Sequence, residues 1–376
     1  MALFADVPVF ADVPVEPGRP RRRGRRVGVV LLVLAIIAGI ALATVPTPYV
    51  IEQPGPVFNT LGTVENGGTA VPLIAIPGQK TYPTSGALDL LTVNLLGDRQ
   101  NPPNWFEVAQ AWFDPSKAVV PIDSVYPKGE TVEQSNKQSA VDMQNSQKDA
   151  VAAALTQLGY PLTGTLVVEG FSADSPSKGV LQNGDEILAV NGDTTDSVAG
   201  LRSIIAKTGA GVPVELSISR KGVDSTVSVT PALSSDDGKT PILGIFPSIS
   251  YTFPFDVKIQ LENVGGPSAG QMFALGIIDK LTPGKLNGGA KVAGTGTIDA
   301  EGDVGPIGGI RQKLYGARDA GATWFLAPAA NCGEVTGHIP SGITVFAVKT
   351  LDDSLAALKA IRTDGDTSAL PSCPVK

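Results

Sequence analysis

The sequence predicts a multidomain chain of α/β and α+β character that begins with one membrane-spanning helix. Three observations support this prediction. An apolar run fills residues 27–45, a turn-rich segment with short strands fills residues 160–232, and strand-like and helix-like segments alternate over residues 233–362. The length of 376 residues allows two or three domains, and the 43 glycines and 30 prolines indicate many turns.

The N-terminal 26 residues are predicted to be a disordered basic tail. They carry six arginines against three acidic residues, and a short proline-containing tandem copy over residues 4–15 disfavours a helix. Residues 27–45 then provide 19 uncharged, mostly aliphatic residues, which is enough to cross a bilayer core. The positive-inside rule places residues 1–26 in the cytoplasm and the rest of the chain outside.

A cleaved signal peptide is the alternative interpretation of this segment, because residues 41–43 (Ala-Leu-Ala) resemble a cleavage site. The apolar run is longer than the usual apolar core of a signal peptide, so an uncleaved anchor in the cell membrane is favoured.

The charge and the cysteines constrain the partners and the compartment. The formal net charge is −7, and the basic tail leaves the body of the chain more acidic still. Nucleic acid is therefore not expected as a partner, since phosphate contacts need a basic face. Cys332 and Cys373, in a chain predicted to lie outside the cytoplasm, predict one disulfide that would pin the tail of residues 363–376 to the body. Two free thiols are the alternative. Neither cysteine has metal-site spacing, and no metal is predicted.

Residues 46–159 are predicted to form a strand-rich region that ends in a helix. Short apolar runs between prolines and glycines indicate strands, whereas residues 131–158 contain neither glycine nor proline and predict a helix that ends at Gly159. The region is either independent or completes the fold of the last domain. Aromatic pairs at 105–106 and 112–113 recur at seven-residue spacing, which predicts a helix with aromatic core packing.

Residues 160–232 contain a specific motif, Gly-Asp-Glu-Ile-Leu-Ala-Val-Asn-Gly at positions 184–192. With its flanking strands and helix, this segment resembles a PDZ domain of the bacterial protease-associated type. The resemblance implies a groove beside the first strand, where an extended peptide adds as another strand. The expected peptide-binding residues are Tyr160, Leu162, Gly164 and Leu166. The alternative is that the module only packs against the last domain.

Ser268 and Lys313 are the candidate reactive residues of the last domain. Ser268 follows a Gly-Gly-Pro turn that opens a helix predicted over residues 267–280, and Lys313 lies near the start of a helix predicted over residues 309–319. A serine hydroxyl needs a base to become a nucleophile. The chain has a single histidine, in a loop-like stretch, so a lysine kept neutral by burial is the favoured base.

The two blocks occur together with Ala-Gly-Thr-Gly-Thr-Ile at 293–298 and Gly-Asp-Val-Gly-Pro-Ile-Gly-Gly at 302–309. Over residues 255–362 this set resembles the proteolytic domain of Lon peptidases, a Ser-Lys dyad family. The resemblance implies that Ser268 is the nucleophile, Lys313 the general base and Thr295 a residue that holds the lysine. Around the serine, Gly266, Pro267 and Ala269 are expected to support it or to help bind the oxyanion.

Two positions depart from the pattern of the family. The acidic residue that often precedes Gly-Pro-Ser is Gly265, and the glutamate that follows Thr-Gly is Thr297. The roles of those acids therefore do not transfer to this chain.

Taken whole, the arrangement resembles the membrane-anchored PDZ and Lon-like peptidases of Gram-positive bacteria. A P-loop ending at Lys239 would need a glycine where Leu233 stands, so ATP is not expected, and no other cofactor is predicted. The sequence thus predicts an extracytoplasmic serine endopeptidase that acts on proteins or peptides without ATP. Self-association is a further implication of the ring-forming soluble family members. An inactive peptide-binding scaffold and a self-processing protein remain as alternatives.

Overall fold

A computed structural model describes residues 22–126, 131–172, 174–195, 198–234, 238–261 and 264–374. Most of the predicted basic tail, residues 1–21, lies outside the described residues. Helix α1 (Arg22–Thr44) contains the predicted span. Within the described ranges, its Arg26–Thr44 part is the one helix long and apolar enough to cross a membrane, a property that a signal sequence shares.

Residues 46–159 contain strands followed by a long helix. Their elements are β1 (Tyr49–Asn59), β2 (Thr63–Asn66), β3 (Thr69–Pro72), β4 (Ile74–Ala75), β5 (Ala87–Leu96), α2 (Trp105–Trp112), β6 (Ala118–Pro121), α3 (Ile122–Val125) and α4 (Val132–Gln157). Helix α4 begins at Thr131, whose side chain forms a reciprocal capping box with Gln134. Both its start and its end follow the predicted range closely.

The central module contains a small sheet and one helix. Its elements are β7 (Thr163–Phe171), β8 (Glu186–Val190), β9 (Asp193–Thr194), α5 (Val198–Thr208), β10 (Val214–Arg220), β11 (Val223–Val229), β12 (Ala232–Leu233), β13 (Pro241–Ile242) and β14 (Ile245–Thr252). The sheet order is β11-β10-β8-β7-β14. Since β14 pairs with β7 along its whole length, the sheet extends beyond the predicted boundary at residue 232.

The last segment alternates strands and helices, as predicted. Its elements are β15 (Lys258–Ile259), α6 (Gly270–Leu281), β16 (Lys291–Gly294), β17 (Thr297–Ile298), β18 (Val304–Gly305), α7 (Ile310–Asp319), β19 (Trp324–Pro328), a 3-10 turn (Ala329–Asn331), α8 (Cys332–Val335), β20 (Thr344–Val348) and α9 (Leu351–Arg362).

One mixed sheet joins this last segment to residues 46–159. Its order is β20-β19-β16-β5-β1-β6, with β16 parallel to β5 and to β19. Helix α6 packs on this sheet and against α4, and its residues from Gly270 to Asp279 are all buried. The N-terminal strands therefore share a sheet and a core with the segment that carries Ser268 and Lys313, and the PDZ-like module lies between them in the chain.

The two cysteines form a disulfide that links α8 to the C-terminal tail, with 5.1 Å between the Cα atoms of Cys332 and Cys373. The tail also pairs with β20, because Ala347 donates its backbone N–H to the carbonyl of Pro371. The tail is thus held on the outer strand of the mixed sheet.

The predicted aromatic core of α2 is wrong for three of its four residues. Trp105 is partly buried and contacts the ring of Tyr49 edge-on. Phe106, Trp112 and Phe113 are exposed, because α2 buries only the face that carries Val108 and Ala111. Seven-residue spacing places residues on one helix face but does not specify what that face contacts.

Candidate active site

Lys313 lies in the first turn of α7, where the fold buries its side chain. The helix begins after Gly309, whose φ of 66° favours glycine, and the N–H of Lys313 donates to the carbonyl of Gly309. Ile310, Leu314 and Ala317 anchor the helix in the core. Lys313 is only 3% exposed, and no carboxylate within the described ranges forms an ion pair with it.

Ser268 lies immediately before α6, in a loop that turns at Gly266 (φ 81°). Its Oγ is 2.7 Å from the Nζ atom of Lys313, which is hydrogen-bonding distance. The 45-residue separation in sequence is closed because α6 and α7 both begin beside the carboxyl end of β16. The structure therefore brings the two predicted reactive side chains into direct contact.

Thr295 fixes the direction of the hydrogen bonds around the lysine. Its hydroxyl donates to the carbonyl of Ser268 at 2.9 Å, and its Oγ1 lies 3.0 Å from Lys313 Nζ. A hydroxyl has a single proton to donate, so Thr295 must accept from the lysine. When Lys313 is neutral, its lone pair is then available to the hydroxyl proton of Ser268.

Burial lowers the pKa of Lys313 from 10.5 to about 7. The cause is the loss of hydration of the ammonium form, and no opposing charge offsets it. A substantial fraction of Lys313 is consequently neutral near pH 7, which is the state that a general base needs.

Helix α4 supports the serine loop from behind. The N–H of Gly266 donates to the carbonyl of Ser139 at 2.8 Å, and the Ser146 hydroxyl donates to the carbonyl of Pro267 at 2.9 Å. Neither serine of α4 was predicted from the sequence, because a helical run without glycine does not indicate a contact with a residue more than 100 positions away in the chain.

For Gly266 and Pro267, which were predicted to support the serine or to help bind the oxyanion, these contacts favour the supporting role. The N–H of Gly266 is engaged by Ser139, and Pro267 has no N–H, so both support the loop rather than bind an oxyanion. In the described chain, the backbone N–H groups of Ser268 and Ala269 have no acceptor. They lie at the N-terminal end of α6, where free N–H groups and the helix dipole favour negative charge.

The glycine that replaces the family's acid also has a structural reason. A Cβ atom on Gly265 would lie 2.7 Å from the Cβ of Ser139, closer than such atoms approach. Helix α4 therefore occupies the space that a side chain at position 265 would need.

A cavity of about 550 Å³ opens beside Ser268 and Lys313. One wall is β5, whose pairing with β16 ends at Leu90, so the continuation of β5 beyond Leu90 has a free edge within the described structure. The larger apolar side chains that line the cavity are those of Phe58, Leu90, Leu91, Val93, Met143 and Val264.

Comparison with known proteins agrees with this geometry. Residues 263–360 match the family model of the Lon protease (S16) C-terminal proteolytic domain, and residues 141–230 match that of the PDZ domain. The chain carries a Lon-type proteolytic domain and a PDZ domain. Together with the mixed α/β fold, these matches confirm the predicted family resemblance and fold class.

The alignments with curated relatives cover only part of each protein. Lon protease 2 of Herpetosiphon aurantiacus is 43% identical over 107 residues, which cover 27% of this chain and 13% of the relative. Lon protease 1 of Bacillus subtilis is 32% identical over 133 residues, which cover 34% of this chain and 17% of the relative. The chain thus spans less than a fifth of the length of these relatives.

Among solved structures, the PDZ domain of an SdrC-like protein from Listeria innocua aligns at 23% identity and a TM-score of 0.21, covering 22% of this chain and 92% of that chain.

The predicted peptide site of the PDZ domain is wrong. The predicted residues Tyr160, Leu162, Gly164 and Leu166 lie on or just before β7, but β7 is paired with β8 on one side and with β14 on the other. Within the described residues, β14 thus covers one side of β7 along its length, and β8 covers the other side at Leu166 and Val167. Leu166 is also fully buried, and Tyr160 packs its ring edge-on against Phe255.

The free edge belongs to β14, which ends the sheet in the described structure. A groove of about 300 Å³ runs between β14 and α5. Apolar side chains of Leu201, Ile205 and Ala206 line its helix side, and the turn of residues 241–245 closes one end. Gly244 adopts a φ of 65° in that turn, where a Cβ would lie 2.8 Å from the Cα of Ser175.

Proposed function

We propose that this protein is an ATP-independent serine endopeptidase, anchored in the cell membrane by α1 with its proteolytic domain outside the cytoplasm. The observation that carries the proposal is the 2.7 Å contact between Ser268 Oγ and a buried Lys313 whose pKa is about 7. This contact and the family match support the catalytic roles proposed for both residues.

The geometry supports a two-step acyl transfer. The Ser268 Oγ atom attacks the carbonyl carbon of the scissile peptide bond while neutral Lys313 takes the hydroxyl proton. The backbone N–H groups of Ser268 and Ala269 stabilise the oxyanion. Lys313, now an ammonium held by Thr295, returns the proton to the leaving amine. A water molecule then hydrolyses the acyl-enzyme, with Lys313 acting again as base.

The free edge of β5 supplies a place for the substrate backbone. An extended peptide that pairs with this edge would pass Ser268 and place side chains in the apolar cavity. Because the cavity is lined mainly by aliphatic and aromatic side chains, we expect apolar residues next to the scissile bond.

The PDZ domain is proposed to present substrate peptides through its β14 edge rather than through β7. A peptide would pair with β14, cover the apolar face of α5 and place its carboxylate end at the turn of residues 241–245. The PDZ match and the groove support this role.

The location rests on the span Arg26–Thr44 and on the arginines that precede it. ATP independence rests on the lack of a P-loop pattern at Lys239. Self-association is proposed only from the resemblance to ring-forming relatives.

Labelling with a fluorophosphonate tests the catalytic proposal. Full-length protein in membranes, kept without ATP, is expected to label covalently at Ser268 and to cleave an unfolded reporter protein. Ser268→Ala and Lys313→Ala should abolish both, and Ser368→Ala, at an exposed tail serine, should change neither.

Absence of Ser268-dependent labelling and cleavage would contradict the proposal and favour a scaffold. A shortened wild-type chain, beside a full-length Ser268→Ala chain and an intact reporter, would indicate self-processing.

The pH dependence of cleavage should follow the lysine. Because the neutral form is the base and the pKa of Lys313 is about 7, kcat/KM is expected to rise with pH and to be half-maximal near pH 7. The measurement is peptide cleavage between about pH 5.5 and 9. His338→Gln, at the single histidine of the sequence, is the control and should leave the midpoint unchanged. A midpoint that moves with this substitution would contradict the assignment to Lys313.

Peptide binding by the groove can be measured separately from catalysis. Peptides with an apolar C-terminal residue and a free carboxylate should bind full-length Ser268→Ala protein, as followed by fluorescence polarisation. The matched peptides with an amidated C-terminus should bind at least about tenfold more weakly, because the charged end group is lost. Equal affinity of the two peptide sets would exclude capture of the chain end by the turn at residues 241–245.

A further inference from the structure

Helix α2 presents an aromatic surface that no other element of the described chain covers. Phe106, Trp112 and Phe113 are 65%, 61% and 88% exposed, and Leu95 and Leu96 at the end of β5 are also exposed. We call these three aromatic side chains the α2 aromatic face. Large exposed apolar groups in a cluster normally mark a contact surface.

The α2 aromatic face is fixed close to the end of the membrane span. Helices α1 and α2 are in contact, and Pro46 forms a β-bridge with Asn104, the residue that caps α2. Buried Thr47 adds two hydrogen bonds, from its N–H and its hydroxyl to the carbonyl of Pro103, at 3.2 and 2.8 Å. The start of α2 is therefore held within two residues of the end of α1.

This junction sets the depth of α2. The 19 helical residues of the span measure about 28 Å at 1.5 Å per residue, close to the roughly 30 Å thickness of a hydrocarbon core. Pro46 and Asn104 consequently lie at the outer boundary of that core, and α2 begins at the depth of the lipid headgroups.

The composition of α2 fits that depth. Its one charged residue, Glu107, is engaged by the capping box, in which its carboxylate accepts from the N–H of Asn104 at 2.8 Å. Val108 and Ala111, on the helix face opposite Phe106 and Phe113, pack on the protein, and Trp112 lies exposed at the flank between the two faces. Tryptophan and other aromatic rings concentrate at membrane–water interfaces because one part of the ring is apolar and its edge can meet water.

We propose that the α2 aromatic face inserts into the outer headgroup region of the same bilayer that α1 spans. The proteolytic domain would then contact the membrane through two elements, and its orientation relative to the bilayer would be restricted. The partner is the phospholipid interface itself. This inference rests on the anchor proposed above.

Depth-dependent quenching of tryptophan fluorescence tests the contact. Full-length protein is reconstituted into phospholipid vesicles that contain lipids brominated near the top of the acyl chains. A Trp105→Phe/Trp324→Phe variant leaves Trp112 as the only tryptophan, and a Trp105→Phe/Trp112→Phe variant leaves Trp324, which is stacked on Phe346 in the sheet. Brominated lipid should reduce the emission of Trp112 at least about twofold and leave that of Trp324 nearly unchanged.

Flotation of the same vesicles separates this inference from the anchor. If the protein floats with the vesicles and Trp112 is quenched no more than Trp324, the membrane contact of α2 is refuted and the anchor stands. Coverage of the face by a second copy of the chain would give that same unquenched result. If the protein does not float, both the anchor and the contact are refuted. Phe106→Ser/Phe113→Ser in the background that keeps only Trp112 should float normally and lose most of the quenching of Trp112. The same pair of substitutions in the background that keeps only Trp324 checks folding, because the emission of Trp324 should be unchanged.

Discussion

Replacing Lys313 with methionine is expected to lower kcat/KM at least about 10³-fold while the chain stays folded. Methionine keeps most of the length and the apolar character of the stem but removes the amine that lies 2.7 Å from Ser268 Oγ. Peptide cleavage and fluorophosphonate labelling measure the loss.

The same substitution should leave the chain at least as stable as the wild type, with a definite pH dependence. The folded-state pKa of Lys313 is about 7, below its ordinary 10.5, so burial disfavours the charged form. This destabilisation is fully present below pH 7 and is relieved as the pH rises from 7 towards 10.5. The stability advantage of Lys313→Met over the wild type should therefore shrink across that window by about 1.4 kcal/mol per pH unit. Urea unfolding at several pH values measures it.

Lys349→Met, at an exposed position, is the matched control and should show neither effect. Retention of cleavage within about tenfold of wild type in Lys313→Met would reject the dyad, because a true general base contributes more than that.

The features that could be predicted from the sequence are those marked by a short sequence pattern at the feature itself. Glycine turns mark the starts of α6 and α7, and so Ser268 and Lys313 could be placed at helix starts before their contact was known. The lack of glycine and proline over residues 131–158 likewise predicted α4. In each case the evidence lies within a few residues of the feature.

The parts that were missed depend on pairing between distant segments. Strand β14 lies beyond the predicted end of the module at residue 232, yet it pairs with β7, which lies earlier in the chain. This pairing moves the free strand edge from β7 to β14. The carbonyl of Ser139 takes the N–H of Gly266 that was predicted to be available for an oxyanion. Neither interaction can be predicted from the composition of a single segment, because each joins two segments that are distant in sequence.

Gly265→Asp, which restores the acidic residue of the family pattern, is expected to reduce kcat/KM about 10²-fold rather than to improve it. The new Cβ would lie 2.7 Å from the Cβ of Ser139, so the serine loop must move away from α4. The loop holds Ser268 against Lys313 at 2.7 Å, and a displacement of about 1 Å is enough to disrupt that alignment. Steady-state peptide cleavage measures the loss, and Gly333→Ala, at a glycine with open space around it, is the control.

A compensating change distinguishes crowding from a direct effect of charge. Ser139→Gly removes the Cβ that blocks position 265 and keeps the carbonyl that accepts from Gly266, at a cost of about 1 kcal/mol in helix stability. If crowding is the cause, Ser139→Gly should restore most of the activity of Gly265→Asp. If the absence of the acid instead lowers the activity of the Ser268–Lys313 dyad, Gly265→Asp alone should raise the activity above that of the wild type. The contact between α4 and the serine loop favours the first result. Helix α4 occupies the space that an acidic side chain at position 265 would need, and the loop depends on α4 for its position.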